Sequence, residues 1–286
     1  MVASSASSLF SVANKNVLIT GGSRGIGLMI AQGFVSAGAN VYLTSRDERA
    51  CREAAESILS DRTDSGIGSV IHGPSNVSTR EGCKALAGTL RDVFGGKLDV
   101  LVNNAGTSWG EDPYDRESGK MNWGWDKVMD LNVKGMFYLT RELVPLLERS
   151  NQTGRTNVED PGRVINIGSV AGLMPQEAPT HAYDVSKAAV HHLTKKMSAD
   201  LAPRGITVNC LAPGYVPSRM SMGLKAWGAE ADKIAESVPL GRMGTADDMA
   251  GACIYFSSRA GAWVSGTILN VDGGCVGAMR ISLSSL

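Results

Sequence analysis

The stretch TGGSRGIG at residues 20–27 follows a short apolar run, VLI at 17–19, and opens a segment whose apolar residues recur every four positions. The glycines at 21, 25 and 27 allow the backbone to turn sharply and to approach a ligand closely. A helix that starts after such a turn offers unpaired N–H groups and a positive dipole end to a diphosphate. Strand, glycine turn and helix in this order predict a dinucleotide-binding α/β unit.

Short β-branched runs recur along the rest of the chain, and helical patterns separate them. The runs are continuously apolar rather than alternating, which is typical of strands that are covered on both faces of a parallel sheet. We therefore predict the α/β class, as a single domain with a Rossmann-type, doubly wound parallel sheet. The predicted strands lie at 17–19, 41–43, 70–71, 100–102, 164–167, 206–208 and 268–269.

The composition excludes several classes of protein. The 286 residues carry 28 basic and 28 acidic side chains, so no basic face is expected for nucleic acid. The five cysteines form no CxxC pair, and no carboxylate lies at metal-ligand spacing from the four histidines, so no metal site is predicted. These histidines, His191 among them, are interpreted as surface or hydrogen-bonded helix residues. The sequence contains no GxSxG motif, so a serine hydrolase is disfavoured.

The termini and the hydropathy indicate the compartment. No run of about 18 apolar residues is present, so we expect no membrane partner. The first 16 residues lack a basic start followed by an apolar core and do not resemble a signal peptide. A cytoplasmic location is therefore expected.

The end of the second strand predicts the type of nucleotide. A carboxylate at this point would accept hydrogen bonds from the ribose hydroxyls of NAD. The chain has Ser45 and Arg46 there instead, and a guanidinium suits a 2′-phosphate. Arg24, inside the glycine turn, can approach the same phosphate, so the predicted cofactor is NADP(H). The alternative is that Arg46 only begins a solvated helix face with Asp47 and Glu48.

Tyr183 and Lys187 are the candidate acid–base pair. They are four residues apart on a predicted helix and therefore share one face. A neighbouring ammonium favours the phenolate, so Lys187 is expected to lower the pKa of Tyr183. Ser169 lies at the end of the predicted strand 164–167, at the edge of the sheet where open α/β proteins bind ligands.

These motifs together resemble the short-chain dehydrogenase/reductase family from about residue 14 to residue 274. Within the family, the segments 104–110 and 214–220 are similar to the 3-oxoacyl reductases of rhamnolipid biosynthesis and to the β-ketoacyl-acyl-carrier-protein reductases. The matching elements are TGGSRGIG at 20–27, NNAG at 103–106, Asn132, Ser169, Tyr183 with Lys187, PG at 213–214 and VDGG at 271–274.

The resemblance implies a catalytic role for four residues. Tyr183 would donate a proton to the substrate carbonyl oxygen as hydride arrives from the nicotinamide. Lys187 would hold the ribose hydroxyls, and Ser169 would stabilise the developing alkoxide. Asn132 would bind a water that links Lys187 to solvent.

The resemblance also implies the cofactor contacts. Asn76 stands where the family commonly has aspartate, and Ser218 where threonine is usual; both keep a polar group. Asn103 is expected to brace the sheet. The expected cofactor-binding residues are Gly21, Ser23, Arg24, Gly25, Ile26, Gly27, Ser45, Arg46, Asn76, Val77, Asn104, Ala105, Gly106, Tyr183, Lys187, Pro213, Gly214, Val216 and Ser218.

Seven strands in the order 3-2-1-4-5-6-7 are expected. Residues 1–13 are interpreted as an N-terminal extension and residues 14–286 as the reductase domain. Within it, 150–162 is a predicted surface loop and 214–244 a predicted substrate lid. The resemblance further implies a homotetramer or homodimer that uses the helices carrying Asn132 and Tyr183.

The expected activity is NADPH-dependent reduction of a prochiral ketone or 3-oxoacyl substrate to a secondary alcohol. Trp109, Trp123, Trp125 and the segment 220–227 favour an apolar pocket for a bulky ketone or acyl chain. One alternative is NADP-dependent oxidation of a polyol or steroid alcohol by the same residues. A non-enzymatic alternative is a nucleotide-bound regulatory or scaffold protein.

Overall fold

The computed structural model describes residues 5–60, 68–112, 114–115, 117, 121–149, 159–218 and 231–278. Seven parallel strands form one sheet in the order β3-β2-β1-β4-β5-β6-β7. The predicted class, strand number and strand order are confirmed. The strands are β1 (Asn16–Thr20), β2 (Asn40–Ser45), β3 (Ser69–Pro74), β4 (Val100–Asn103), β5 (Gly162–Ile167), β6 (Ile206–Pro213) and β7 (Ile268–Val271).

Helices connect the strands by crossovers, as a parallel sheet requires. Within the described ranges, three short 3₁₀ turns lie at 170–172, 202–204 and 259–261. A π-helical turn, Asp130–Gly135, joins α5 to α6. The helices are α1 (Ala6–Leu9), α2 (Gly25–Ser36), α3 (Glu48–Ser60), α4 (Arg80–Val93), α5 (Met121–Met129), α6 (Met136–Leu147), α7 (His181–Leu201), α8 (Ala231–Ser237) and α9 (Ala246–Ser257).

The core has two layers, one on each face of the sheet. Val17 and Ile19 of β1 pack with α2, α3 and α9, whereas Leu18 packs on the opposite face with α4, α6 and α7. Every residue of β5 and β6 is buried. Burial on both faces explains why the strands are continuously apolar in the sequence.

The strand order places the site. The chain leaves β1 for β2 on one side and reaches β4 on the other, so a crevice opens at the carboxyl ends of β1 and β4. The glycine turn, residue 104, residue 169 and residue 214 follow β1, β4, β5 and β6, and all lie at this edge.

Three predicted segments relate to the structure only in part. Of the N-terminal extension, residues 5–13 are described, and Val12 is buried in the core beside α2. Residues 150–158 of the predicted surface loop and residues 219–230 of the predicted lid lie outside the described residues, whereas α8 lies within the lid range. None of the described helices combines the length and the apolar character that a transmembrane segment needs.

Candidate active site

The glycine turn presents backbone N–H groups to the crevice. Gly21 and Gly25 have φ angles of 65° and 55°, which side chains rarely adopt. The first residue of α2 is Gly25, and the preceding Arg24 makes no side-chain capping bond. The N–H groups of the first helical turn therefore stay available to a bound anion.

Asn104 fastens this turn to the end of β4. Its side-chain nitrogen donates to the carbonyl oxygens of Thr20 (2.9 Å) and Gly21 (3.1 Å). A Cβ at position 27 would overlap both the Asn104 nitrogen and the Gly21 oxygen, so only glycine fits there. A Cβ at position 25 would meet only Ser218 Cβ, at 3.5 Å, which places the turn next to the loop after β6.

We predict that Gly27→Ala destabilises the protein by about 1–3 kcal/mol, because the overlapping atoms belong to the backbone and to an engaged amide. The matched control is Gly88→Ala in α4, where nothing lies within 4 Å of the added Cβ. The control is expected to gain about 0.5–1 kcal/mol from helix propensity. Urea unfolding of the two variants measures both effects, and equal stabilities would contradict the packing argument.

Two arginines at the adenosine side of the crevice are unpaired. Arg24 and Arg46 are exposed. Among the described residues, neither guanidinium takes part in a hydrogen bond or an ion pair. Asp47 accepts a hydrogen bond from the Ala50 N–H and so begins α3 rather than pairing with Arg46. Both guanidinium groups are therefore available to a phosphate.

At the expected adenine contact, Asn76 is exposed and Val77 is buried. The side-chain oxygen of Asn76 accepts hydrogen bonds from Ser78 N (3.3 Å) and Ser78 Oγ (2.7 Å), which leaves its amide nitrogen as the group for a ligand. The Val77 side chain is buried in the core beside Cys83 and Leu86. Only the backbone of Val77 can face a nucleotide.

The structure brings Tyr183, Lys187 and Ser169 together. Both hydroxyl groups, of Tyr183 and of Ser169, lie within hydrogen-bonding reach of each other. The ammonium of Lys187 lies 5.5 Å from the centre of the Tyr183 ring and donates to the carbonyl oxygen of Ile167 at 2.7 Å. Ser169 Oγ also accepts from Ala171 N at 3.1 Å, which holds it at the start of its turn.

Asn132 joins the end of β4 to the catalytic helix. Its side chain exchanges two hydrogen bonds with the backbone of Thr107, both at 2.9 Å, and donates to Ser186 Oγ at 3.0 Å. A Cβ on Gly106 would lie 3.3 Å from Asn132 Oδ1 and 3.8 Å from Lys187 Nζ. The missing side chain at Gly106 leaves space between Asn132 and Lys187, where a water could link them.

The prediction that Lys187 lowers the pKa of Tyr183 is wrong. Burial raises the pKa of Tyr183 above its ordinary value, and the hydrogen bond with Ser169 opposes this rise without cancelling it. Burial lowers the pKa of Lys187 to about 8. The Lys187 ammonium donates to the Ile167 carbonyl oxygen, and the cost of burying a phenolate is the largest effect on the Tyr183 pKa.

The comparisons with known proteins agree with this geometry. The family model described as enoyl-(acyl carrier protein) reductase matches residues 21–276. The chain belongs to the short-chain dehydrogenase/reductase family. The predicted family resemblance is confirmed.

Relatives within the short-chain dehydrogenase/reductase family match almost the whole chain. A rhamnolipid-biosynthesis 3-oxoacyl-[acyl-carrier-protein] reductase of Pseudomonas aeruginosa is 41% identical over 93% of this chain and 97% of its own length. A gluconate 5-dehydrogenase of Gluconobacter oxydans is 33% identical over 93% of this chain and 96% of its own length. A solved structure, described as the Pseudomonas aeruginosa RhlG/NADP active-site complex, has a TM-score of 0.83 at 39% identity and covers 94% of this chain and 99% of its own.

The loop after β6 closes the site of this family member on one side. Pro213 and Val216 are buried, and Gly214 packs so closely on the residue after β7 that a Cβ would lie 2.8 Å from Asp272 Cα. The Tyr215 hydroxyl donates to Gln176 Oε1 at 3.4 Å and so connects this loop with the segment between Ser169 and Tyr183. Ser218 ends the described part of the loop.

Two tryptophans, Trp109 on the segment after β4 and Trp123 on α5, contact each other and form an aromatic wall. The rings of Trp109 and Trp123 meet edge to face, with centroids 5.0 Å apart, and Lys127 Nζ lies 4.4 Å from the centre of the Trp123 ring. Glu111 accepts from Trp109 Nε1 and donates its N–H to the Pro179 carbonyl, so this wall is tied to the segment before Tyr183. Residues 220–227, which were predicted to add apolar contacts, lie outside the described residues.

Two hydroxyl residues of the site were not among the predicted residues. Thr20 Oγ1 accepts the N–H groups of Asn104 and Ala105, both at 3.0 Å, and so shapes the end of β4. Ser186, fully buried, donates to the Tyr183 carbonyl oxygen and accepts from Asn132. The signal for Ser186 was a small hydroxyl residue beside Lys187 on the buried face of a helix. Asn103 braces the sheet as expected, since its amide donates to Asn166 and Thr140.

Proposed function

We propose that this chain reduces a ketone or 3-oxoacyl group to a secondary alcohol with NADPH. One observation carries the proposal: the hydroxyl groups of Tyr183 and Ser169 lie within reach of each other, next to the buried Lys187 ammonium, at the sheet edge where the glycine turn meets the loop after β6. Two hydroxyl donors that converge on one point suit a carbonyl oxygen that becomes an alkoxide.

The chain offers a fitting site for NADP(H). The uncapped start of α2 suits the diphosphate, and the unpaired Arg24 and Arg46 suit a 2′-phosphate. The description of the similar Pseudomonas aeruginosa structure names NADP as well. Bound NADPH supplies hydride.

Each catalytic side chain has a separate task in this proposal. Tyr183 stays protonated at neutral pH because its pKa is raised, so it can give its hydroxyl proton to the substrate oxygen. Ser169 donates a second hydrogen bond to that oxygen. Lys187, with a pKa of about 8, is largely charged at neutral pH; it binds ribose hydroxyls and attracts the negative charge that Tyr183 acquires. Asn132 and the space at Gly106 would hold the water that returns a proton.

The substrate class rests on the tryptophan wall and on the relatives. Trp109 and Trp123 offer aromatic surface that Glu111 ties to the segment before Tyr183, which suits an acyl chain or aryl ketone. The similar Pseudomonas aeruginosa protein is, by its name, a 3-oxoacyl-[acyl-carrier-protein] reductase. Oxidation of a polyol is the second candidate, because another relative is a gluconate 5-dehydrogenase.

Turnover on β-keto esters with NADPH, compared with turnover on polyols with NADP, separates ketone reduction from polyol oxidation. A preference for polyols would contradict ketone reduction.

Arg46→Ala tests the cofactor. We expect the KM for NADPH to rise about 10- to 100-fold, because a charge-assisted hydrogen bond to phosphate contributes about 1.5–3 kcal/mol. The KM for NADH should hardly change. The matched control is Arg91→Ala, near the far end of α4, which should leave both constants unchanged. Equal effects of Arg46→Ala on both cofactors would contradict the assignment.

We also propose that the protein is a homodimer or homotetramer in the cytoplasm. Phe137 lies on α6, which follows the turn with Asn132, and Val185 lies on α7, which carries Tyr183. Their side chains are 40% and 48% exposed, which suits contact with a second copy. The five cysteines are free, as is usual in a reducing compartment. Light scattering of the purified protein measures the subunit number, and a monomeric mass would contradict the proposed assembly.

A further inference from the structure

His191 is a buried polar residue that neither the sequence analysis nor the proposed mechanism uses. It lies on α7, one helical turn after Lys187, and is only 6% exposed. Within the described part of the chain, neither ring nitrogen has a hydrogen-bond partner of normal geometry. The interpretation of this histidine as a surface or hydrogen-bonded residue is therefore wrong. A buried imidazole whose only polar contact is a poorly aligned one with the Gly172 backbone destabilises a fold, so its presence requires an explanation.

The ring of His191 lies directly behind the turn that carries Ser169. A Cβ placed on Gly168 would overlap Nε2 of His191, and a Cβ placed on Gly172 would lie 2.8 Å from its Cε1. These two glycines stand on either side of Ser169 in the sequence. The imidazole therefore fills the space behind the turn, and the backbone around Ser169 rests on it.

The surroundings of His191 keep the imidazole neutral. Burial and the charge of Lys187 lower the pKa of His191 to about 4, and the neighbouring Lys195 acts in the same direction. From β6 the ring faces the Cys210 thiol, whose pKa is raised to about 12 by burial. The segment 168–172 presents no charged side chain. Only the Gly172 backbone favours the charged form, and its effect is smaller.

We propose that His191 is a positioning residue: its neutral ring holds the Ser169 turn in place and gives Lys187 a polar neighbour on the inner side of α7. A leucine would fill much of the same volume but would remove this polar neighbour and leave Lys187 with the Ile167 carbonyl oxygen as its hydrogen-bond acceptor. This inference rests on the proposed function, since it assigns His191 to the same reaction.

The test compares His191→Leu and His191→Gln with the wild type in ketone reduction. In His191→Leu we expect kcat to fall about 10-fold, because small displacements of a catalytic hydroxyl have effects of this size. The KM for NADPH should stay within about 2-fold, since no cofactor contact is altered. The loss of activity at high pH, which follows deprotonation of Lys187, should begin at lower pH. His191→Gln keeps a polar side chain and should restore most of kcat.

The matched control is His192→Leu, because His192 is the next residue and is exposed; it should behave as the wild type. If His191→Leu does not fold, His191→Asn replaces it, and the same fall in kcat is expected because the smaller side chain leaves the turn unsupported. An unchanged kcat and pH profile, or a KM for NADPH that rises in parallel with the fall in kcat, would overturn the positioning role alone. A wild type that reduces no ketone would instead overturn the proposed function.

Discussion

Replacing Tyr183 with phenylalanine is expected to lower kcat for ketone reduction by about 10²- to 10⁴-fold, the usual contribution of a positioned general acid. The substitution removes the hydroxyl that lies close to Ser169 and leaves the rest of the ring in place. The Kd for NADPH should be almost unchanged, because the proton donor acts on the substrate. Initial rates of NADPH oxidation and a fluorescence titration of NADPH binding measure the two quantities.

Tyr255→Phe is the matched control for this variant. Tyr255 lies on α9, and its ring contacts only Phe10 and Phe256 among the described aromatic rings. It should keep the wild-type kcat. If Tyr183→Phe also kept full activity, the assignment of the proton donor would be wrong, whatever its effect on NADPH binding.

Lys187→Met is expected to abolish activity and to stabilise the fold at the same time. Lys187 is 5% exposed, and its pKa is about 8 in the folded protein, against 10.5 for an ordinary lysine. The unfolded chain binds the proton more tightly, so below pH 8 the buried ammonium destabilises the fold by about 3 kcal/mol. Loss of its hydrogen bond to Ile167 offsets about 1 kcal/mol of the gain. A net gain of about 1–2 kcal/mol is expected at neutral pH.

The sign of the pH dependence provides a second measurement. Between pH 8 and 10.5 the unfolded wild-type chain loses a proton that the folded chain has already released, so this group makes the wild type more stable as the pH rises through that window. The methionine variant should lack this rise. Urea unfolding at pH 7 and at pH 10 measures the difference, with the exposed Lys196→Met as the control. A variant that is less stable than the wild type at pH 7 would contradict the argument.

Much of the fold was predictable because its signals are local. The buried run at 164–167 and the glycine turn at 20–27 each indicate their structure within a few residues, and the motif with Tyr183 and Lys187 needs only helical spacing. The same holds for Ser169, which stands where a strand ends. These residues lie together because parallel strands deliver their carboxyl ends to one edge.

Other features of the site depend on distances that the sequence does not encode locally. The π-helical turn aims Asn132 at Thr107 and Ser186, and nothing in the residues 130–135 signals it. The raised pKa of Tyr183 follows from burial and, to a smaller extent, from the neighbouring Asp184 carboxylate. The position of His191 behind Ser169 likewise follows from the packing of α7 on β6 and on the turn at 170–172.

The most direct test of the central claim is to follow the hydrogen that reaches the substrate carbon. NADPH that carries deuterium at the transferring position of the nicotinamide is incubated with the wild type and a β-keto ester, and the alcohol is examined by proton NMR. The account predicts one deuterium on the new carbinol carbon and a solvent proton on its oxygen. An alcohol without deuterium at that carbon, or no alcohol at all, would contradict it.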